Sequence, residues 1–258
     1  MKKTFLLSCL MLAAMPVMAA YTGHVYVDKN KNGVFDQSEK PLAGIKVSDG
    51  LNVVETAADG SFTLPGHERE RFIFITTPSG YKTFNRHYHK IEKKQSGYDF
   101  GLIPYSGRIR KNGSHRYIHI ADTEIFNTEN HADWVNNVRD YARNEQAAFI
   151  IHTGDICYEK GLKAHIKLMN TENMDCPVFY CIGNHDLVKG KYGEELFESI
   201  YGPVYYSFDA GNVHYVVTPM PGGDHAPGYT SDDVCRWLKN DLAHIRPGTP
   251  VVVFNHDL

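Results

Sequence analysis

The sequence predicts two architectures in series: a small all-β sandwich over residues 21–105, then an α/β domain on a mainly parallel, layered sheet over residues 116–258. Three observations carry that reading. Up to about Tyr105, short apolar alternations are cut by turn residues; from Arg116 onward, apolar strands alternate with segments of helical period; and four strands of the second region end in side chains of the kind that hold metal ions.

The chain has 258 residues, 42% apolar and 22% charged. That mix suits one large or two ordinary domains and excludes disordered, collagen-like and coiled-coil classes. Lys2 and Lys3 precede an apolar run from Phe5 to Val17 and then Ala19 and Ala20, so residues 1–20 read as a secretory signal peptide. The protein is therefore expected to be exported to the periplasm, the cell surface or the medium. The run is shorter than the ~20 apolar residues of a membrane span. No later segment is long and apolar enough either, so no transmembrane span is expected after signal cleavage. Removing Lys2 and Lys3 leaves 25 basic against 30 acidic side chains, a net charge of −5. That charge argues against a broad nucleic-acid surface. Cys9 leaves with the signal, and Cys157, Cys176, Cys181 and Cys235 are read as mostly buried thiols; Cys176 and Cys181, ~16 Å apart if on one strand, are too distant to pair, which leaves a Cys157–Cys181 bridge as the alternative.

In the first region, strands are expected at His24 to Val27, Gly44 to Val47, Val53 to Thr56, Ser61 to Leu64 and Arg71 to Ile75. Asp49-Gly50 and Asp59-Gly60 fall between them, where residues tolerant of positive φ make tight hairpins. Between the first two strands, Asp28-x-Asn30-x-Asn32-Gly33 followed by Asp36 and Glu39 fits the twelve-position EF-hand calcium loop, with Glu39 in the bidentate slot. The flanks are wrong for a helix-loop-helix, because a strand precedes the loop and Pro41 follows it. A bound calcium there would be structural. The polar cluster Arg86, His87, His89 and Lys90 reads as surface, and residues 106–115, rich in basic side chains, read as a linker.

In the second region, Trp134, Val138 and Tyr141 mark one helix and Val234, Trp237, Leu238, Leu242 and Ile245 another, the latter capped by Ser231 with Asp232 and Asp233 and stopped by Pro247-Gly248. Strand alternating with helix implies a mainly parallel sheet covered on both faces. Its strands finish informatively. Tyr117 to Ala121 ends in Asp122-Thr123-Glu124, Ala148 to Thr153 in Gly154-Asp155, Val178 to Ile182 in Gly183-Asn184-His185-Asp186, and Val251 to Phe254 in Asn255-His256. In open α/β sheets the ligand crevice lies outside the carboxyl ends of the strands, so these side chains should converge. His119, His152 and His214 lie inside strands and read as packing or supporting residues.

Three carboxylates in one crevice repel one another, by ~4 kcal/mol per pair at ~4 Å and an effective dielectric of ~20. Asp122, Glu124 and Asp155 together therefore call for cations or raised pKa values. A neutral amide and an imidazole favour cations, and mixed oxygen and nitrogen ligands suit manganese, iron, zinc or similar ions. Asp122 and Glu124, two apart on an extended segment, should grip one ion between them.

Asp122-x-Glu124, Gly154-Asp155, Gly183-Asn184-His185-Asp186 and His256 together resemble the calcineurin-like metallophosphoesterase family, whose exported bacterial members carry an N-terminal β-sandwich. The resemblance covers about Arg116 to Leu258. It implies two divalent metal ions, with Asp155 bridging them, Asp122 and Glu124 on one, and Asn184 and His256 on the other. It implies hydrolysis of a phosphate monoester or diester, small or part of the cell envelope, by in-line attack. His185 would then serve the leaving oxygen as a general acid, or hold the phosphate, with Asp186 fixing its ring. Lys189 to Tyr201 and Pro219 to Tyr229 are the loops expected to set selectivity.

Two departures from the family pattern stand out. Glu124 occupies a position where the family usually has His, which makes that metal site more anionic. The family also supplies two further histidines in a Gly-His-x-His element beyond the His256 position, and this sequence ends at Leu258. The expectation is the front part of a longer protein, with weak metal binding and slow turnover from these residues alone. Two other functions compete: a non-catalytic surface or binding protein with a remnant phosphoesterase domain, and a metal-free acid-base pair of carboxylates like that of glycosidases.

Overall fold

The strands between residues 21 and 104 form two facing sheets. The computed structural model describes residues 20–95, 97–105 and 108–257. All of the segment read as a signal peptide except Ala20 therefore lies outside the described residues, as do Ser106 and Gly107 of the expected linker and Leu258. Strand β1 (Tyr21–Val27) is the hub of the first sheet. It pairs antiparallel with β2 (Lys40–Pro41) and with β5 (Ser61–Leu64), and parallel with β9 (Phe100–Pro104), which in turn pairs with β7 (Tyr81–Thr83). The second sheet runs β4 (Val53–Glu55), β3 (Lys46–Ser48), β6 (Phe72–Ile75), β8 (Tyr88–Lys90). Val25, Val47, Phe62, Leu64 and Leu102 fill the space between them.

Strand β6 is buried on both faces, which is why Phe72-Ile73-Phe74-Ile75 is an unbroken apolar run rather than an alternation. Ile73 and Ile75 point into the sandwich core, whereas Phe72 and Phe74 pack into the second region. Each such side chain contributes ~1.5–3 kcal/mol through removal from water. The two regions thus share a core, and Arg71, 2.9 Å from Glu194 and 3.1 Å from Glu198, ties them at its edge.

The second region is layered. Strands β10 (Tyr117–Ile120), β11 (Phe149–His152) and β12 (Val178–Tyr180) form a parallel sheet. Helices α1 (His131–Asn144), α2 (Tyr158–Leu168) and α3 (Glu195–Tyr201) cover one face, with Val135, Leu162 and Phe197 packed on Ile150, Val178 and Tyr180. The opposite face is covered by a second sheet instead of more helices. It comprises β13 (Tyr206–Ala210), antiparallel to β14 (Val213–Val217), and β15 (Val251–Phe254), parallel to β14. Phe179 stacks on Phe208 with centroids 3.6 Å apart, and Phe149 and Tyr215 close the same layer. Helix α4 (Ser231–Ala243) lies outside this sheet, held by Trp237 and Asp241. No helix among the described residues is long and apolar enough to cross a membrane.

Several local expectations are corrected. Thr230, not Ser231, caps α4: its hydroxyl accepts from the Asp233 N–H at 3.2 Å, and the Asp233 carboxylate accepts from the Thr230 N–H at 2.9 Å. Tyr141 and Leu242, placed on core faces by spacing, are exposed, because Val135 with Ala142 and Val234 with Trp237 carry the burial. The four described cysteines are free thiols, so Cys157 and Cys181 are unpaired, and Cys235 is exposed. His119, read as a packing or supporting residue, is exposed on the edge strand β10 and supports the neighbouring strand end through a 2.8 Å contact of its Nε2 with the Thr153 hydroxyl. His87, assigned to the surface, turns its ring inward to within 4.5 Å of Tyr206, and burial lowers its pKa to about 3. It lines a cleft of about 850 Å³ between the two regions, at the amino end of β12.

His214 is buried but ionic. Its Nδ1 lies 2.7 Å from Asp209 and its Nε2 2.8 Å from Asp241, joining β13, β14 and α4. Burial by itself lowers its pKa, but the hydrogen bonds to Asp209 and Asp241 outweigh that and raise it. A raised histidine pKa stabilises the fold fully below the unfolded value near 6.5, and the contribution is lost as pH rises through the folded value. His214→Ala is therefore expected to destabilise by about 3 kcal/mol at pH 6 in urea unfolding, and by clearly less at pH 9. A loss independent of pH would contradict the ionic reading.

Candidate metal centre

The register of the parallel sheet brings the strand ends together. Ile120 pairs with His152 and His152 with Tyr180, so Asp122, Gly154-Asp155 and Gly183-Asn184 leave the sheet along one edge. The second sheet delivers His256 to the same place, two residues beyond Phe254, which is in register with Val217. The His256 Nδ1 lies 2.8 Å from the Thr153 carbonyl, stitching one sheet to the other.

The loops that follow are tightly wound. Asp122 N–H donates to the Gly154 carbonyl at 3.0 Å, Glu124 N–H to Asp155 at 3.0 Å and Ile125 N–H to Ile156 at 2.8 Å. To do this the backbone enters the left-handed region at Asp122 (φ 53°), Glu124 (42°), Asp155 (54°), Cys157 (80°) and Tyr158 (47°). Such conformations cost ~1–3 kcal/mol each and persist where surrounding contacts over-determine them. Asp122 and Glu124 therefore do not lie on an extended segment, and the spacing argument for their holding one ion together does not apply.

Gly154 and Gly183 are where the two loops meet. A Cβ on Gly154 would stand 2.5 Å from the Gly183 nitrogen, and one on Gly183 would stand 2.2 Å from the Asp155 nitrogen. Asp186 locks this contact. Its carboxylate accepts from the Cys157 N–H at 2.9 Å and the Gly183 N–H at 3.0 Å, and burial raises its pKa to about 6. It braces backbone and does not fix the His185 ring. That ring is held instead by Asp224, whose Oδ2 lies 2.9 Å from Nδ1. The hydrogen bond to Asp224 raises the pKa of His185 despite some desolvation.

At the strand ends the ligand-grade atoms fall into two groups, Asp122, Asp155 and His256, and Glu124, Asp155 and His185, with the atoms of each group within 4.8 Å of one another; a third such group, Asp49, His67 and Glu70, lies in the sandwich. Asp155 belongs to both. It is 4% exposed, while Asp122 and Glu124 are open to solvent. Asp155 accepts from the His185 N–H at 3.1 Å. Asn184 joins through its Oδ1, 3.2 Å from His256 Nε2.

His256 tests whether a cation fits. A backbone carbonyl can only accept, so Nδ1 carries a proton, while Nε2 faces Asn184 Oδ1 at 3.2 Å and Asp155 Oδ2 at 3.4 Å. No lysine or arginine joins this contact among the described residues, so either a proton on Nε2 or a bound cation completes it, and the oxygen and nitrogen donors present fit a cation. A carbonyl-oriented histidine is also the usual support of a metal-binding imidazole.

An α/β fold of paired sheets with this carboxylate, amide and imidazole crevice at its strand ends defines a metal-dependent hydrolase class. The chain belongs to the calcineurin-like phosphoesterase family: residues 115–257 match the family described as Calcineurin-like phosphoesterase, and residues 29–104 match N terminal of Calcineurin-like phosphoesterase. No curated protein matches the chain. The family performs metal-dependent hydrolysis of phosphoesters.

Of the residues singled out from sequence, Asp122, Glu124, Asp155, Asn184, His185 and His256 come together, and Asp186 lies directly behind them. Asp28, Asn30, Asn32, Asp36 and Glu39 form a separate cluster on the β1–β2 hairpin. Asp224 was missed, although it lies in one of the two loops assigned to selectivity. His152 also supports the site: it accepts from the Gly154 N–H at 3.2 Å and, held neutral by burial, meets the Thr123 hydroxyl at 3.0 Å. Gly154→Ala is expected to destabilise the protein by on the order of 3 kcal/mol in denaturant unfolding. A change below about 1 kcal/mol would mean the loops separate without cost.

Proposed function

We propose that the chain hydrolyses a phosphate monoester or diester through two divalent ions that share Asp155. The sharing of that one buried carboxylate by two ligand groups is the observation that carries the reading. Asp122 and His256, with Asn184 beside them, would hold one ion, and Glu124 the other. This division differs from the one the family resemblance implied, which put Asp122 and Glu124 on the same ion. When bound, such a pair of ions supplies positive charge to the phosphoryl oxygens and lowers the pKa of an attacking water.

The chain's own residues do the rest. His256 keeps its Nδ1 proton on Thr153 and would present Nε2 to the ion. His185, with Nδ1 on Asp224, leaves Nε2 to protonate the leaving oxygen. Its raised pKa favours the protonated ring that this role requires. Tyr158, 5.6 Å from the His185 ring, and Phe126, 5.7 Å from Tyr158, are exposed and flank the approach for substrate. The basic and apolar character of residues 1–20 supports an exported protein acting on a small or cell-envelope phosphoester outside the cytoplasm.

Hydrolysis of an aryl phosphate should vanish with a chelator and return with manganese. Asp155→Asn should lose both metal and activity. Asp224→Ala should lower kcat about 10- to 100-fold while metal content stays unchanged. Activity indifferent to the chelator would support a metal-free acid-base pair, and metal binding without turnover would support a binding protein.

A further inference from the structure

The β1–β2 hairpin of the sandwich carries a separate set of carboxylates and amides. Val27 pairs with Lys40, so the connection between the two strands spans residues 28–39 and brings its first and last residues, Asp28 and Glu39, to the neck of the loop. Both carboxylates are buried, 1% and 6% exposed. Asn30 and Asn32 donate from their amide nitrogens to Asp36 Oδ2, at 2.7 and 3.3 Å, while their amide oxygens accept from the Asn32 and Val34 N–H groups. Gly33 takes φ 71° at the sharp turn. Among the described residues, no lysine, arginine or histidine forms an ion pair with Asp28, Asp36 or Glu39.

The tyrosine that underlies this loop supplies an independent sign of a ligand. The Tyr26 hydroxyl is fully buried and has no hydrogen-bond partner. It converges with Asp28 on one small space: a Cβ built on Gly101 would lie 3.0 Å from Asp28 Oδ2 and 3.2 Å from the Tyr26 oxygen. After burial, the charges of Asp28 and Glu39 are what push its pKa up most. The Asp28 carboxylate accepts from the Asn32 and Gly33 N–H groups and the Glu39 carboxylate from those of Lys29 and Asp36, so both are hydrogen-bonded yet carry no counter-charge; with the orphaned Tyr26 hydroxyl beside them, a cation would supply that charge and a partner for the hydroxyl oxygen.

The geometry points to a calcium site formed by Asp28, Asn30, Asn32, the Val34 carbonyl, Asp36 and Glu39, distinct from the phosphoester crevice and independent of its chemistry. The donor set contains only oxygen, which selects a hard cation over zinc or copper. Ligands at positions 1, 3, 5, 7, 9 and 12, with a two-oxygen carboxylate last, match the larger coordination number of calcium rather than magnesium. The bound ion would fix the loop against β9, to which Asp28 N–H already donates through the Leu102 carbonyl at 3.0 Å. It would also fix Phe35, whose ring stacks on His24 and lies tilted against Tyr26, 4.9 Å from each.

Terbium luminescence sensitised by Tyr26, competed with calcium, tests the assignment on the full chain. Calcium should displace terbium with a Kd on the order of 10 µM to 1 mM, the weak end of such loops. Glu39→Gln should weaken binding at least about tenfold, and Asp155→Asn should leave it unchanged. Because Glu39→Gln could disturb the hairpin, the unaltered protein gives a second measurement: calcium should protect the bonds after Lys29 and Lys31 from trypsin, and a chelator should expose them. Binding lost in Asp155→Asn would move the ion to the crevice and overturn the proposal. So would absence of competition at 10 mM calcium, or cleavage at Lys29 and Lys31 that ignores the chelator.

Discussion

A single carboxylate, that of Asp155, stands where two ligand groups overlap, and the loops around it are organised to keep it there. It is buried, its backbone is left-handed, one oxygen accepts from the His185 N–H, and the other faces His256. A charge in that position is costly unless paired or bound to a metal. The strained backbone at Asp122, Glu124 and Asp155 has the same logic: hydrogen bonds across the two loops, the glycine contact between Gly154 and Gly183, and the buried Asp186 together hold conformations that no single residue would choose.

The rest of the fold supports that edge. The parallel sheet supplies three of the four strand ends in flush register, and the second sheet supplies His256, so the site exists only while the two sheets stay packed. The Phe179–Phe208 stack and the Phe149–Tyr215 contact hold them together. The sandwich contributes from the outside: Phe72, Phe74 and Tyr88 enter the same core, and the buried His214 triad pins α4 over the second sheet. A firmer hairpin at residues 28–39 would act on stability, through the sandwich, and not on the chemistry.

What could be read from the sequence follows from how local each signal is. Strands of the second region were visible because each is a short apolar run, and their chemistry was visible because Asp155, Asn184 and His256 fall immediately after such runs. The conformation of Asp122 and Glu124 was not, since a strand pattern extrapolates to extended backbone whereas cross-loop hydrogen bonds turn both residues left-handed. Asp224 lies in a loop without period, and only tertiary contact shows that it holds the His185 ring. His87 sits among basic and polar neighbours that signal a surface, yet the packing of β8 against the second region turns its ring inward onto Tyr206. The second sheet facing the first was hidden for a related reason: alternation of strand and helix predicts parallel pairing but not which layer covers each face.

Anomalous scattering from a manganese-soaked crystal would test the shared carboxylate most directly. The account expects two peaks about 3.5–4 Å apart, with one oxygen of Asp155 toward each, His256 near the first and Glu124 near the second. A lone peak, or a pair of peaks that leaves Asp155 untouched, would contradict it.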